Sequence, residues 1–142
     1  MDMSGQTVMI TGASRGIGAA AARAFAAAGA NVALRARSSA EITGIADELG
    51  DRAMAITCDV SVFEEVEAAV HATVERFGAL DVLIGNAGAV EPISHLASAD
   101  PAAWGQVIDI NLKGVFYGMR AAAPGMLERG RGTLITISSG AA

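Results

Sequence analysis

The sequence predicts an α/β domain built on a doubly wound parallel sheet, with helices on both faces in three layers. Three observations predict it. Short runs of β-formers alternate with longer helical periods along the whole chain, the pattern of βαβ units. The first such run opens directly into a glycine-rich turn at the mouth of a helix. Residues 1–142 contain no linker, internal repeat or low-complexity tract beyond an alanine bias, so one domain holds all of them.

The elements follow in order. "QTVMIT" (6–11) is the first strand. From Arg15 to Ala28 the residues Ile17, Ala21, Ala24, Phe25 and Ala28 recur at helical spacing, and Gly29 stands where a helix-ending glycine belongs. "NVALRA" (31–36) is the second strand, followed by a short helix near 40–49 that ends at Gly50. "AMAITCDV" (53–60) is the third strand. Ser61 and Glu64 form a Ser-x-x-Glu capping box, and Phe63, Val66, Val70, Val74 and Phe77 make one stripe of the helix that Gly78 closes. "LDVLIG" (80–85) is the fourth strand. Asp100 and Pro101 read as a helix N-cap and its first residue. That helical region runs through Trp104, Val107, Ile108, Leu112, Val115, Phe116 and Met119 until Pro124 bends or breaks it. "TLITIS" (133–138) is the fifth strand, and right-handed crossovers join the five into one sheet.

Composition narrows the function classes. The chain is 52% apolar, yet Arg23 and Asn31 interrupt its richest stretch, and no run approaches the roughly 18 apolar residues of a membrane helix. "MDMSGQTV" lacks the basic and apolar regions of a signal peptide. A single cysteine, Cys58, leaves no internal disulfide and fits a reducing cytoplasm. With a net charge of −5 and scattered basic residues, neither nucleic acid nor an anionic membrane is an expected partner. No acidic spacing suits a metal.

The chemistry starts at "TGASRGIG", Thr11 to Gly18. Gly12, Gly16 and Gly18 permit a tight turn and a close approach of ligand or backbone. The helix behind them presents unpaired N–H groups and the positive end of its dipole, a ready anion site. An NAD site carries an Asp or Glu about 20 residues beyond the glycines for the ribose hydroxyls. Here that region reads "LRARSS" and holds no carboxylate. Arg37, together with Arg15 in the glycine loop, suits a 2′-phosphate instead. The favoured cofactor is therefore NADP(H), with NAD(H) second.

These segments resemble the short-chain dehydrogenase/reductase family over the whole chain. "TGASRGIG" is similar to that family's glycine motif, bringing Ser14 and Ile17 into the cofactor site with the glycines and Arg15. "CDV" resembles its adenine-binding segment, with Asp59 toward the adenine amino group and Val60 beside it. "NAG", residues Asn86, Ala87 and Gly88, resembles its Asn-Asn-Ala-Gly turn. Gly85 replaces the first Asn, which loosens the sheet-stabilising role implied there. "INLKG" carries Asn111, matching a catalytic Asn in a helix that relays protons. "ISS" matches the strand whose serine orients a substrate carbonyl, Ser139 better than Ser138. The resemblance implies a Rossmann fold and hydride transfer between a nicotinamide and a small carbonyl or alcohol.

It also implies a Tyr-x-x-x-Lys pair on the helix after the serine strand, and the sequence stops before one arrives. Tyr117 and Lys113 lie four apart, but in reversed order and ahead of the strand, so Tyr117 is read as a packing residue. The expected chain is the cofactor-binding portion of such an enzyme, truncated after about five strands and inactive alone. The alternative is a non-catalytic relative that binds dinucleotide or dimerises. An unpartnered sheet edge and helix face point to self-association, most simply as a homo-oligomer. His95 is a solvated loop residue, His71 a surface residue, Cys58 a small buried strand residue, and Trp104 an anchor at its helix start.

Overall fold

A computed structural model of the chain describes residues 1–139. Five parallel strands are described, β1 (Thr7–Thr11), β2 (Asn31–Ala36), β3 (Ala53–Thr57), β4 (Val82–Gly85) and β5 (Thr133–Thr136). They form one sheet in the order β3-β2-β1-β4-β5. Five helices connect them: α1 (Gly16–Ala27), α2 (Ser39–Leu49), α3 (Phe63–Phe77), α4 (Pro101–Ile108) and α5 (Gly114–Glu128). A π-helical turn, Asp109–Lys113, joins α4 to α5. Strand order reverses between β1 and β4, and in open α/β sheets that reversal opens a crevice at the carboxyl ends of the strands.

Alternation along β1 and β2 makes the three layers. Val8, Ile10, Val32 and Leu34 pack with Ala19, Ala22 and Ala26 of α1 and Ile42 and Ile45 of α2. Met9 and Ala33 point the other way and pack with Val70 of α3 and Ala122 and Met126 of α5. Both faces of the central strands are covered, and the middles of these strands, Val8–Ile10 and Val32–Leu34, are apolar throughout. The alanines of α1 carry no side-chain bulk, which lets the helix backbone lie close to the sheet.

The fold class and the order of elements are as the sequence predicts; five local details differ. The strand expected over residues 53–60 ends at Thr57, although the Cys58 N–H still bonds to the Ala36 carbonyl at 3.0 Å. Asp59 ends it: its carboxylate accepts from both the backbone N–H (2.9 Å) and the hydroxyl (2.7 Å) of Ser61. That charge-assisted pairing takes the Ser61 hydroxyl away from the expected capping box. The helix begins instead after Val62, which supplies no side-chain cap, and Glu65 rather than Glu64 reaches back, accepting from the Asp59 N–H at 2.8 Å.

Pro124 does not break α5, which runs on to Glu128. An interior proline costs a helix about 3 kcal/mol, but Ala122 and Met126 are buried on either side of it and hold the helix to the sheet. Trp104 is 61% exposed and does not anchor α4; the start of that helix is fixed by Asp100, which accepts from the Ala103 N–H at 2.9 Å. The fifth strand ends at Thr136, short of the expected residue 138, while the Ile137 N–H continues the ladder to the Gly85 carbonyl. Gly85 itself pairs with Thr136, within the β4–β5 register.

Candidate functional site

The glycine loop is built by close contact. Gly12 has a φ of 66°, and a Cβ there would lie 2.8 Å from the Ala87 Cα. A Cβ on Gly18 would stand 2.3 Å from the Gly12 carbonyl oxygen. Neither position has room for a side chain. Gly16, with a φ of 56°, is the first residue of α1 and meets open space instead.

Thr11 and Asn86 lock this loop to the end of β4. The buried Thr11 hydroxyl accepts from the N–H of Asn86 (3.0 Å) and of Ala87 (2.9 Å). Asn86 returns its side-chain amide to the carbonyls of Thr11 (3.0 Å) and Gly12 (3.1 Å). The two turns flanking the switch point are thereby one rigid unit. Thr11 opens the glycine motif, but nothing in its spacing marks the two N–H groups it receives from Asn86 and Ala87.

Between these turns and the ends of β2 and β3 lies a cleft of about 430 Å³. Gly12, Ser14 and Arg15 line one side, Arg37 and Asp59 with Val60 another, and Asn86, Ala87 and Gly88 the floor toward β4. Arg15 and Arg37, separated by 22 positions in sequence, thus border the same cavity, as their cofactor reading requires. Ile17 is 64% exposed and, with Gly16 and Gly18, does not border it. Arg15 occupies the N-cap position of α1 without capping it through its side chain, and no acidic residue occupies the first turn. The first N–H groups of α1 are therefore left for an anion.

Asp59 is held below the usual carboxylate range, first by the Ser61 side-chain and backbone hydrogen bonds and least by the charge of Arg37. Its fixed carboxylate forms part of the cleft wall. Ser38, Glu41 and Ile110 also border the cleft and were missed in the sequence. Ser38 with Glu41 makes a Ser-x-x-Glu pattern at the start of α2, which could have flagged both.

Asn111 lies in the π-helical turn and spends both ends of its side chain on one residue. Its oxygen accepts from the Ala89 N–H at 2.8 Å, and its amide donates to the Ala89 carbonyl at 2.7 Å. This fixes the chain just beyond Gly88. Ser138 and Ser139 follow β5 at its carboxyl end and are exposed. Tyr117 packs edge-on against Phe63, with ring centroids 5.4 Å apart, and Lys113 pairs with Asp109 at 2.6 Å, so the reversed pair is used in packing and on the surface. His71 and His95 are exposed. Cys58 is 1% exposed and sits one residue past β3.

Comparison with known proteins gives the class. A family model described as short chain dehydrogenase matches residues 6–142. The chain belongs to the short-chain dehydrogenase family. It is 41% identical to 3beta-hydroxysteroid dehydrogenase 1 of Eggerthella lenta, over 97% of this chain and 54% of that protein. It is 38% identical to a glycine betaine reductase of Emericella nidulans, over 98% of this chain but 11% of that protein. A metagenomic short-chain oxidoreductase solved in complex with NADP superposes with a TM-score of 0.91 at 38% identity, covering 96% of this chain and 63% of that one. A 3-ketoacyl-(acyl-carrier-protein) reductase from Brucella melitensis complexed with NADH gives 0.93 at 31% identity, covering 97% and 58%. The chain spans about half the length of the hydroxysteroid dehydrogenase it matches. Among the described residues, no helix is long and apolar enough to cross a membrane.

Proposed function

We propose that this chain carries the dinucleotide-binding half of an NADP(H)-dependent oxidoreductase that interconverts a small carbonyl and an alcohol. The observation that carries the reading is the cleft at the switch point, with Arg15 and Arg37 on its rim and no carboxylate at the end of β2. The residues fit such a cofactor: Gly12 and Gly18 leave no Cβ to fill the cradle, and the uncapped start of α1 suits a pyrophosphate. Arg15 and Arg37 hold a 2′-phosphate, with Ser14 beside them. Asp59 accepts from the adenine amino group and Val60 packs beside its ring. Ala87 and Gly88, held by Asn86, let the nicotinamide ribose approach the backbone. When bound, the cofactor supplies the hydride.

Asn111 and Ser139 serve the substrate side. Asn111 acts by holding Ala89, which sets the path of the loop leading from the cleft. Ser139 donates to the substrate carbonyl. The proton-donating Tyr-x-x-x-Lys pair is not in this sequence, so the chain alone binds without appreciable turnover. Trp104, Leu112 and Phe116 are each more than half exposed along the α4–α5 region, which supports self-association.

The cofactor assignment is tested by Arg37→Asp. Losing a charge-assisted phosphate contact and gaining a repulsive carboxylate weakens NADPH by about 100-fold, while NADH is unchanged or strengthened. An unaltered NADPH-to-NADH affinity ratio overturns the assignment.

A further inference from the structure

Arg35 is fully buried, at 0% exposure, on the sheet face that carries Met9. Long cationic side chains are almost never buried this way unless a carboxylate or phosphate receives them. Arg35 has neither. One terminal nitrogen donates to the Met9 Sδ at 3.3 Å, the other to the Cys58 Sγ at 2.6 Å, and Nε has no partner. Sulfur is a weak acceptor, so a buried cation here lacks a strong one.

The Cys58 thiol is the group that can change. It donates weakly to the Asp59 carbonyl at 3.6 Å, and the residue, 1% exposed, lies at the border of the cleft. We propose that Cys58 is a peroxide-sensitive modification site whose oxidised oxyanionic form is held by the buried Arg35 guanidinium. In the reaction the sulfur attacks one oxygen of hydrogen peroxide. An S–O bond forms as the O–O bond breaks, sulfur loses two electrons to the peroxide, and the second oxygen leaves as water with the thiol proton; the resulting sulfenic acid then releases its own proton to solvent, leaving the sulfenate oxyanion. Burial pushes the Cys58 thiol up, opposed by the charge of Arg35, so the attack is slow. The site acts on the product, giving Arg35 an oxygen acceptor in place of sulfur.

Cys58 is the sole cysteine, so labelling is unambiguous. The chain is treated with hydrogen peroxide, trapped with dimedone and read by peptide mass. The expected result is a dimedone adduct on Cys58 in the folded protein. Arg35→Leu lowers its yield about tenfold, after normalising to the rate of iodoacetamide alkylation, which reads access to the thiol without forming an oxyanion. An adduct seen only after unfolding in urea overturns the proposal, as does an undiminished yield in Arg35→Leu. Should that variant not fold, Arg35→Lys carries the comparison, with a severalfold loss expected because its single ammonium has a different reach; an undiminished yield there overturns the proposal equally. An added charge on the cleft wall also weakens NADPH binding, a consequence resting on the dinucleotide reading. The labelling itself needs no nucleotide, so its failure is distinguishable from failure of that reading.

Discussion

Gly18 gives the sharpest test of the loop at the residue scale. An alanine Cβ would sit 2.3 Å from the Gly12 oxygen and 2.7 Å from the Asn86 amide nitrogen, so the loop must shift. We expect Gly18→Ala to cost about 1–3 kcal/mol in a denaturant melt and to weaken NADPH more than tenfold; a stable variant with unchanged binding would contradict the close-packed loop. Asp59 makes a pH prediction. Its folded pKa lies below the unfolded value near 3.8, so its contribution to stability is full above that value and is lost as pH falls through the lower folded pKa. Asp59→Asn should flatten the acid limb of the stability curve below about pH 4 and leave its slope at neutral pH alone. Gly12 and both arginines could be found in the sequence because each is a residue type with a specific chemical use at a specific spacing, and Asp59 only through the resemblance of the CDV segment; all four border the cleft. Thr11 could not: its value lies in two N–H groups that arrive from residues 75 and 76 positions later.

At the scale of elements, α5 shows where periodicity outran a local rule. The apolar spacing of Val115 and Met119 predicts a helix, and Pro124 predicts its end. Tertiary packing decided for the helix, because Ala122 and Met126 are anchored on the sheet. Pro124 is exposed and interior, so Pro124→Ala should raise stability by about 1–3 kcal/mol. A fall in stability on thermal melting would mean that the proline shapes the helix. The displaced cap of α3 has the opposite lesson. Ser61 and Glu64 match a capping box by spacing, but Asp59 lies close enough to take the hydroxyl, and a pattern counted forward from Ser61 does not include it.

For the whole molecule, the parallel sheet and its three layers were legible because β-rich runs alternate with helical periods along the chain, whereas the strand order β3-β2-β1-β4-β5 came from the structure. What spacing could not convey is the covering of the outer elements. All four residues of β5 are exposed, and Leu134, Ile135 and Ile137 each show more than a third of their surface. Light scattering at tens of micromolar should therefore report a dimer or larger species, and a monomer under those conditions would count against self-association.

We propose that the cleft between the glycine loop, Arg37 and the Asn86 turn binds a dinucleotide. Fluorescence titration of the chain with NADPH tests it most directly. We expect saturable binding, one NADPH per chain and tighter than NADH. A linear response without saturation, from a protein whose circular dichroism reports the folded α/β domain, would contradict it.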